Sequence, residues 1–277
     1  MKICTLMENT AVSEEFTSSH GLSFYIETKN HRILFDLGPD GSFLENAKKL
    51  GIDISGVDFA ILSHGHYDHG GGLKAFLEAN QRASVHIQKK ALGSFWAHDP
   101  DGSLRYIGLP KGLEGNPRIV CHTGDYKLGA ELQVFAGVTG RECYSPANDS
   151  LFMEMNGHHV QDLFMHEQNL IIKEGNLLVL IAGCAHNGIV NILNKAEHLA
   201  PEGINYVLGG MHLRKAYGNT QECEKFCSRL AGRLMKKSCR YYTCHCTGEE
   251  PYQLLHREMG ERMQYLAAGS VLELAKN

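Results

Sequence analysis

The stretch SHGHYDHGGGL at residues 63–73 packs three histidines and an aspartate into six positions and follows them at once with three glycines. A random shuffle of this composition would set His, His, Asp and His at those four offsets in roughly two chains per thousand. The run before it, VDFAILS, is apolar and β-prone and bounded by Gly56, so it reads as a buried strand. His64, His66, Asp68 and His69 therefore stand where a core strand ends, a context that a plain solvated loop does not explain. The three glycines match no GxxxxGK[ST] or GxGxxG pattern, and their simplest role is room for backbone beside a metal.

The same arrangement recurs along the chain. FAILSHGH, VLIAGCAH, YVLGGMH and YYTCHC are four apolar runs, each ending in a small residue or turn and then a histidine, the last three at His186, His212 and His245. In layered α/β proteins, groups gathered at strand ends form the site. Alone, His186 and His245 would more often be structural; their place at strand ends makes them candidate ligands. Asp36, in FDLG, divides evenly between a turn aspartate and a partner for such histidines. Cys184, Cys244 and Cys246 flank the candidates and could bind a soft metal, but small buried hydrophobes are the better reading of them. His158, His159 and His166 stay open.

Strands and helices alternate throughout, so the class is α/β. LSFYIET and RILFDLG read as early strands, SFLENAKKLG as a helix with Phe43, Leu44, Ala47 and Leu50 on one face, and a further helix carries Leu73, Phe76 and Leu77 inward. Later strands are LGAELQVFAG, NLIIKEG and NLLVLIAG, and helices run from Gly188 to about Leu199 and from Thr220 to about Met235. Between Gly93 and Ser150 the periodicity weakens, and four of the seven prolines fall there (Pro100, Pro110, Pro117, Pro146). Aromatics such as Phe95, Trp96, Tyr106 and Tyr126 remain, so this segment is expected to be a cap or lid inserted in a single domain spanning 1–277.

Composition narrows the partners. A chain of 277 residues buries about 75% of its unfolded surface and needs no staples. Its net charge of −4, without a long basic block, argues against nucleic acid. The longest apolar run, LLVLIAGCA, is far short of a membrane span. The opening MKICTLMENTAVSEEF lacks the apolar core of a signal peptide. Nine cysteines, an odd number with no zinc-ribbon pair, read as reduced thiols of a cytoplasmic protein. The expected partner is a small molecule; oligomeric state is not encoded legibly.

Taken in order, HGLSFYIE, ILFDLGPD, SHGHYDHGGGL, GCAHNGIVNIL, VLGGMHL and TCHCTG resemble the metallo-β-lactamase superfamily and its HxHxDH motif over nearly the whole chain. They most resemble the branch that includes 7,8-dihydropterin-6-yl-methyl-4-(β-D-ribofuranosyl)aminobenzene 5′-phosphate synthase and many metal-dependent hydrolases. The resemblance implies an αββα sandwich with two divalent transition metals at one edge. By position, His64, His66 and His186 would hold one metal, and Asp68, His69 and His245 the other. One departure stands out: many members bridge the metals with an aspartate after the strand that here reads YVLGG, where this chain has Gly209, Gly210 and then His212.

Imidazoles and a carboxylate suit Zn²⁺ first, with Mn²⁺ or Fe²⁺ as alternatives. The expected chemistry is hydrolysis of a small phosphorylated or cyclic ester by metal-activated hydroxide. Asp68 would orient that hydroxide, His212 would contact substrate phosphate or the second metal, and Asp36 or Glu167 would fix histidine tautomers. The alternatives are a transferase of the pterin-synthase kind and a non-catalytic metal-binding or redox protein. Redox members usually place Glu where this chain has His66 and add a flavin domain.

Overall fold

The computed structural model describes residues 1–99, 101–113, 115–214 and 220–275. Two seven-stranded sheets dominate it. The first runs, in spatial order, Val271–Glu273, Lys2–Met7, Ser23–Glu27, Arg32–Phe35, Phe59–Ile61, Ser84–Gln88, Ile119–His122; it is antiparallel up to Arg32–Phe35 and parallel beyond. The second runs Met263–Tyr265, Arg240–Thr243, Tyr206–Gly209, Leu177–Ile181, Gln168–Glu174, Leu132–Ala136, Tyr126–Leu128, with its first four strands parallel.

Alternation along each strand decides which face meets what. In Leu177–Ile181, Leu177, Val179 and Ile181 pack between the sheets, among Phe24, Ile33, Phe35 and Ile61 of the first. Leu178 and Leu180 point outward, under the helices Ile189–Leu199, Thr220–Leu234 and Glu249–Met259. On the far side, Cys4, Leu34, Ala60 and Val85 pack beneath Phe43–Lys49 and Leu73–Ala79. Strands covered on both faces read as unbroken apolar runs, which is why LLVLI shows no polar alternation. The result is helices, sheet, sheet, helices: the expected αββα sandwich.

The segment from Gly93 to Ser150 divides among three sheets. Phe95–His98 and Leu104–Tyr106 form a separate four-stranded antiparallel sheet with Leu151–Met155 and His158–Gln161. Ile119–His122 extends the first main sheet, while Tyr126–Leu128 and Leu132–Ala136 extend the second, where Leu132 and Val134 enter the central core. The separate layer is thus narrower than the expected cap on one side and passes Ser150 on the other. Tyr126 stacks on His122 at 3.4 Å, at the rim of the sandwich.

Gly71 and Gly72 sit against the loop after Arg32–Phe35. A Cβ would lie 1.9 Å from the Pro39 carbonyl oxygen at Gly71 and 2.2 Å from that of Leu37 at Gly72. These glycines let two backbones touch, and so bring Asp36 to the histidine cluster.

Candidate metal centre

Parallel strands end together at one rim. Arg32–Phe35 leads into Asp36 and Phe59–Ile61 into His64 to His69 in the first sheet; Leu177–Ile181 leads into Cys184 and His186, Tyr206–Gly209 into His212, and Arg240–Thr243 into His245 in the second. Asp36, Ala185, His212 and His245 all have positive φ, from 49° to 61°. Non-glycine residues in that region concentrate at functional sites, where surrounding structure holds them.

Six donors converge as two triads. His64 Nε2 lies 3.0 Å from His66 Nδ1 and 3.3 Å from His186 Nε2. His69 Nε2 lies 3.1 Å from His245 Nε2, and Asp68 Oδ2 is 3.3 Å from His245 Nε2 and 3.6 Å from His69 Nε2. All six residues are buried.

Hydrogen bonds behind the triads set the ring tautomers. Asp36 Oδ1 accepts from the Ser63 backbone N–H at 2.7 Å, and Oδ2 accepts from Ser63 Oγ and from His69 Nδ1, both at 2.7 Å. Having donated to Asp36, Ser63 Oγ accepts from His64 Nδ1 at 2.8 Å. Asn148 Oδ1 accepts from His186 Nδ1, and Asn9 Oδ1 from His245 Nδ1, each at 2.9 Å. The Nε2 lone pairs of His64, His69, His186 and His245 therefore face one another at contact distance. Lone pairs repel unless a cation lies among them, and a neutral imidazole nitrogen is a metal donor. The donor set fits divalent transition ions on this ground.

The electrostatics agree. Burial, with the other rings, pushes His64 and His186 well below the ordinary histidine value, and burial and His166 bring His66 to about 3. Burial would also lower His69, but Asp36 and Asp68 outweigh it and hold it up to about 9. Burial would raise Asp68, yet His69, His245 and His20 keep it well below the carboxylate range. Without an ion, Asp36 and Asp68 thus keep a proton on His69, a positive charge that a bound cation would replace.

Several participants carried no readable signal. Asn9 and Asn148 are polar residues outside any motif frame, and Ser63 opens the SHGHYDHGGGL stretch without belonging to its ligand spacing. His20 belongs to HGLSFYIE but was given no role; its Nε2 is 3.3 Å from Asp68 Oδ2. Cys184 and Cys246, read as buried hydrophobes, face the centre: Cys184 Sγ is 3.1 Å from His69 Nε2, and Cys246 Sγ accepts the His212 N–H at 3.2 Å. Glu167 contacts no ring and instead accepts the backbone N–H groups of His186 and Asn187 at 2.6 and 3.0 Å, shaping the turn. His166 spends both nitrogens, accepting from Gly65 N–H and donating to Asp162, while His158 and His159 are exposed on the separate sheet. His212 stands with its ring 4.2 Å from that of His186.

Four of the triad residues, His66, Asp68, His186 and His245, line a cavity of ≈ 390 Å³, walled by Ala97, Ile107 and Leu151 and rimmed by Arg105 and Arg214. Of its walls, Ala97 and Leu151 lie on the separate sheet, paired directly across it.

Comparison with known proteins gives the same picture. The family model for the metallo-beta-lactamase superfamily matches residues 17–154. The uncharacterized protein MJ0448 of Methanocaldococcus jannaschii is 30% identical over 88% of this chain and 89% of its own length. The 7,8-dihydropterin-6-methyl-4-(beta-D-ribofuranosyl)-aminobenzene-5'-phosphate synthase of the same organism is 30% identical over 99% of this chain and 96% of its own. Tm1679, a solved metal-dependent hydrolase of the beta-lactamase superfamily, is 30% identical, covers both chains completely and superposes with a TM-score of 0.82.

Proposed function

Because this chain belongs to the metallo-β-lactamase superfamily, we propose that it is a metal-dependent hydrolase holding two divalent transition ions and cleaving a small anionic ester, phosphorylated or cyclic. The observation that carries the reading is the convergence of six donors, four of them rings with tautomers fixed by hydrogen bonds, beside a cavity with two arginines at its rim. Ions bound there would supply a nucleophile from water at neutral pH and polarise a phosphoryl or carbonyl oxygen.

The chain's own groups divide the remaining work. His64, His66 and His186 hold the first ion, and Asp68, His69 and His245 the second. Asp68 also orients the attacking water, since its carboxylate faces the cavity. Arg214 and Arg105 draw an anion to the mouth; Arg105 is steadied by two hydrogen bonds to Asp99. His212, at positive φ and on the cavity wall, contacts the substrate phosphate. The walls from the separate sheet exclude bulk water, which strengthens each of these interactions.

A second reading is group transfer, in which another substrate rather than water attacks. The identity to the synthase over nearly both chains favours it. Incubating the metal-loaded protein with phosphomonoesters, cyclic phosphodiesters and a pterin diphosphate in ¹⁸O-water separates the two, because hydrolysis puts label in the product and transfer does not. Elemental analysis of His64→Ala and His245→Ala tests the ligands directly: full metal content in both variants would overturn the assignment. His212→Ala is expected to keep both metals, raise KM for phosphorylated substrates and spare uncharged esters.

A further inference from the structure

The residues between the triads point to sulfur. Cys184 Sγ is 3.1 Å from His69 Nε2, a member of the second triad. Its sulfur also lies within 4.8 Å of the donor atoms of His64 and His186, members of the first, and of His245 and Cys246 on the other side. Cys184 therefore contacts the second donor set, lies within ligand reach of the first, and is buried with them.

The strand end at Gly209 and Gly210 leaves no room for a bridging side chain there. The strand ends are laced together by a hydrogen bond from Gly210 N–H to the Gly183 carbonyl at 2.7 Å. A Cβ at Gly210 would lie 2.4 Å from Cys246 Sγ, and one at Gly209 would lie 2.1 Å from the Ala182 carbonyl oxygen. A side chain on either glycine is excluded, at Gly209 by the Ala182 backbone and at Gly210 by the Cys246 sulfur.

We propose that the Cys184 thiolate is a ligand shared by the two metal ions. The inference rests on the dinuclear reading above. On coordination the S–H bond breaks, its proton leaves to water, and sulfur–metal bonds form, with no change of oxidation state. Cys246 lines the same cavity but accepts from the His212 backbone N–H, whereas Cys184 carries the His69 Nε2 contact and is therefore the bridge of this proposal. Thiolate favours Zn²⁺ and Fe²⁺ over Mn²⁺, whose preferred ligands are oxygen, so the donor set narrows the choice of metal.

The test uses full-length protein stripped of metal and reloaded with Co²⁺. Wild type is expected to bind two equivalents and to show a thiolate-to-cobalt charge-transfer band in the near ultraviolet. Cys184→Ser should lose that band and bind the weaker equivalent on the order of a hundredfold less tightly, while Cys246→Ser keeps the band. Cys184→Asp should restore two equivalents without the band. A second measurement needs no variant to fold: metal should shield Cys184 from alkylation in wild type, read by peptide mass mapping. A Cys184→Ser protein with the wild-type spectrum and both affinities, a band lost in Cys246→Ser instead, or Cys184 alkylated equally with and without metal overturns the proposal. If His64→Ala and His245→Ala lose metal while Cys184→Ser is unaffected, the bridge alone falls; if those histidine variants keep full metal, the dinuclear reading falls.

Discussion

Asp36 accepts three hydrogen bonds with two oxygens, all at 2.7 Å, and thereby governs one ring in each triad: His69 directly and His64 through Ser63. Its φ of 61° is one that asparagine also adopts readily, so Asp36→Asn should fold. The amide NH₂ cannot accept where Oδ2 now accepts, and the two rings lose their fixed orientation. We expect metal affinity to fall by about 10–100-fold, read by competition with a chelator; unchanged affinity would remove Asp36 from this role. At this scale the sequence was legible only where residues recur in a frame. The HxHxDH spacing named four donors and the strand-then-histidine pattern two more, whereas Asn9, Asn148 and the cysteines meet the centre through folding alone, from positions far apart in the chain.

Short elements carry the consequences of close approach and of burial. With a Cβ 2.2 Å from a backbone oxygen, Gly72→Ala must displace either the helix start or the Asp36 loop, and a loss of about 1–3 kcal/mol is expected from urea unfolding. On strand Ser84–Gln88, burial and then His122 push His86 down to about 4. Unfolded, it titrates near about 6.5, so between these values the unfolded chain binds more protons and stability rises with pH. Wild type should lose stability as pH falls through that window, and His86→Gln should lose less; equal slopes would show that His86 contributes nothing. In the separate sheet, Trp96 packs edge-on to Tyr106 at 5.3 Å. Trp96→Ala should change turnover of different esters unequally at constant metal content, whereas uniform effects would make the layer scaffold. The boundaries of that layer were the least legible part of the fold. Short edge strands separated by prolines give too few residues for a period to show, while long covered strands such as LLVLI announced themselves.

Across the whole molecule, each triad draws on both main sheets. His64 and His66 follow a strand of the first and His186 one of the second; Asp68 and His69 belong to the first and His245 to the second. Metal bound there would clamp the sandwich at its rim, and ligand saturating the native state a thousandfold above its dissociation constant stabilises by about 4 kcal/mol. Chelation should therefore lower the unfolding temperature of wild type and leave His64→Ala less affected; a chelator-insensitive melt would mean that the halves cohere without metal. The α/β class and the rim position of the site were legible because alternation and strand-end histidines are properties of chain segments, and the sandwich followed from the motifs' resemblance to the superfamily. Which sheet each edge strand joins was not, since strand pairing is decided by contacts between distant residues.

A rim held by metal would also link the protein's lifetime to its supply of ions. Without the clamp the strand ends open more often, and local opening exposes backbone to proteases in proportion to its population. In a cell deprived of zinc or iron the protein would then be degraded rather than stored inactive, so at constant synthesis its abundance would follow metal supply. Pulse-labelled half-lives with and without a chelator would show this, and equal half-lives would separate metal occupancy from turnover.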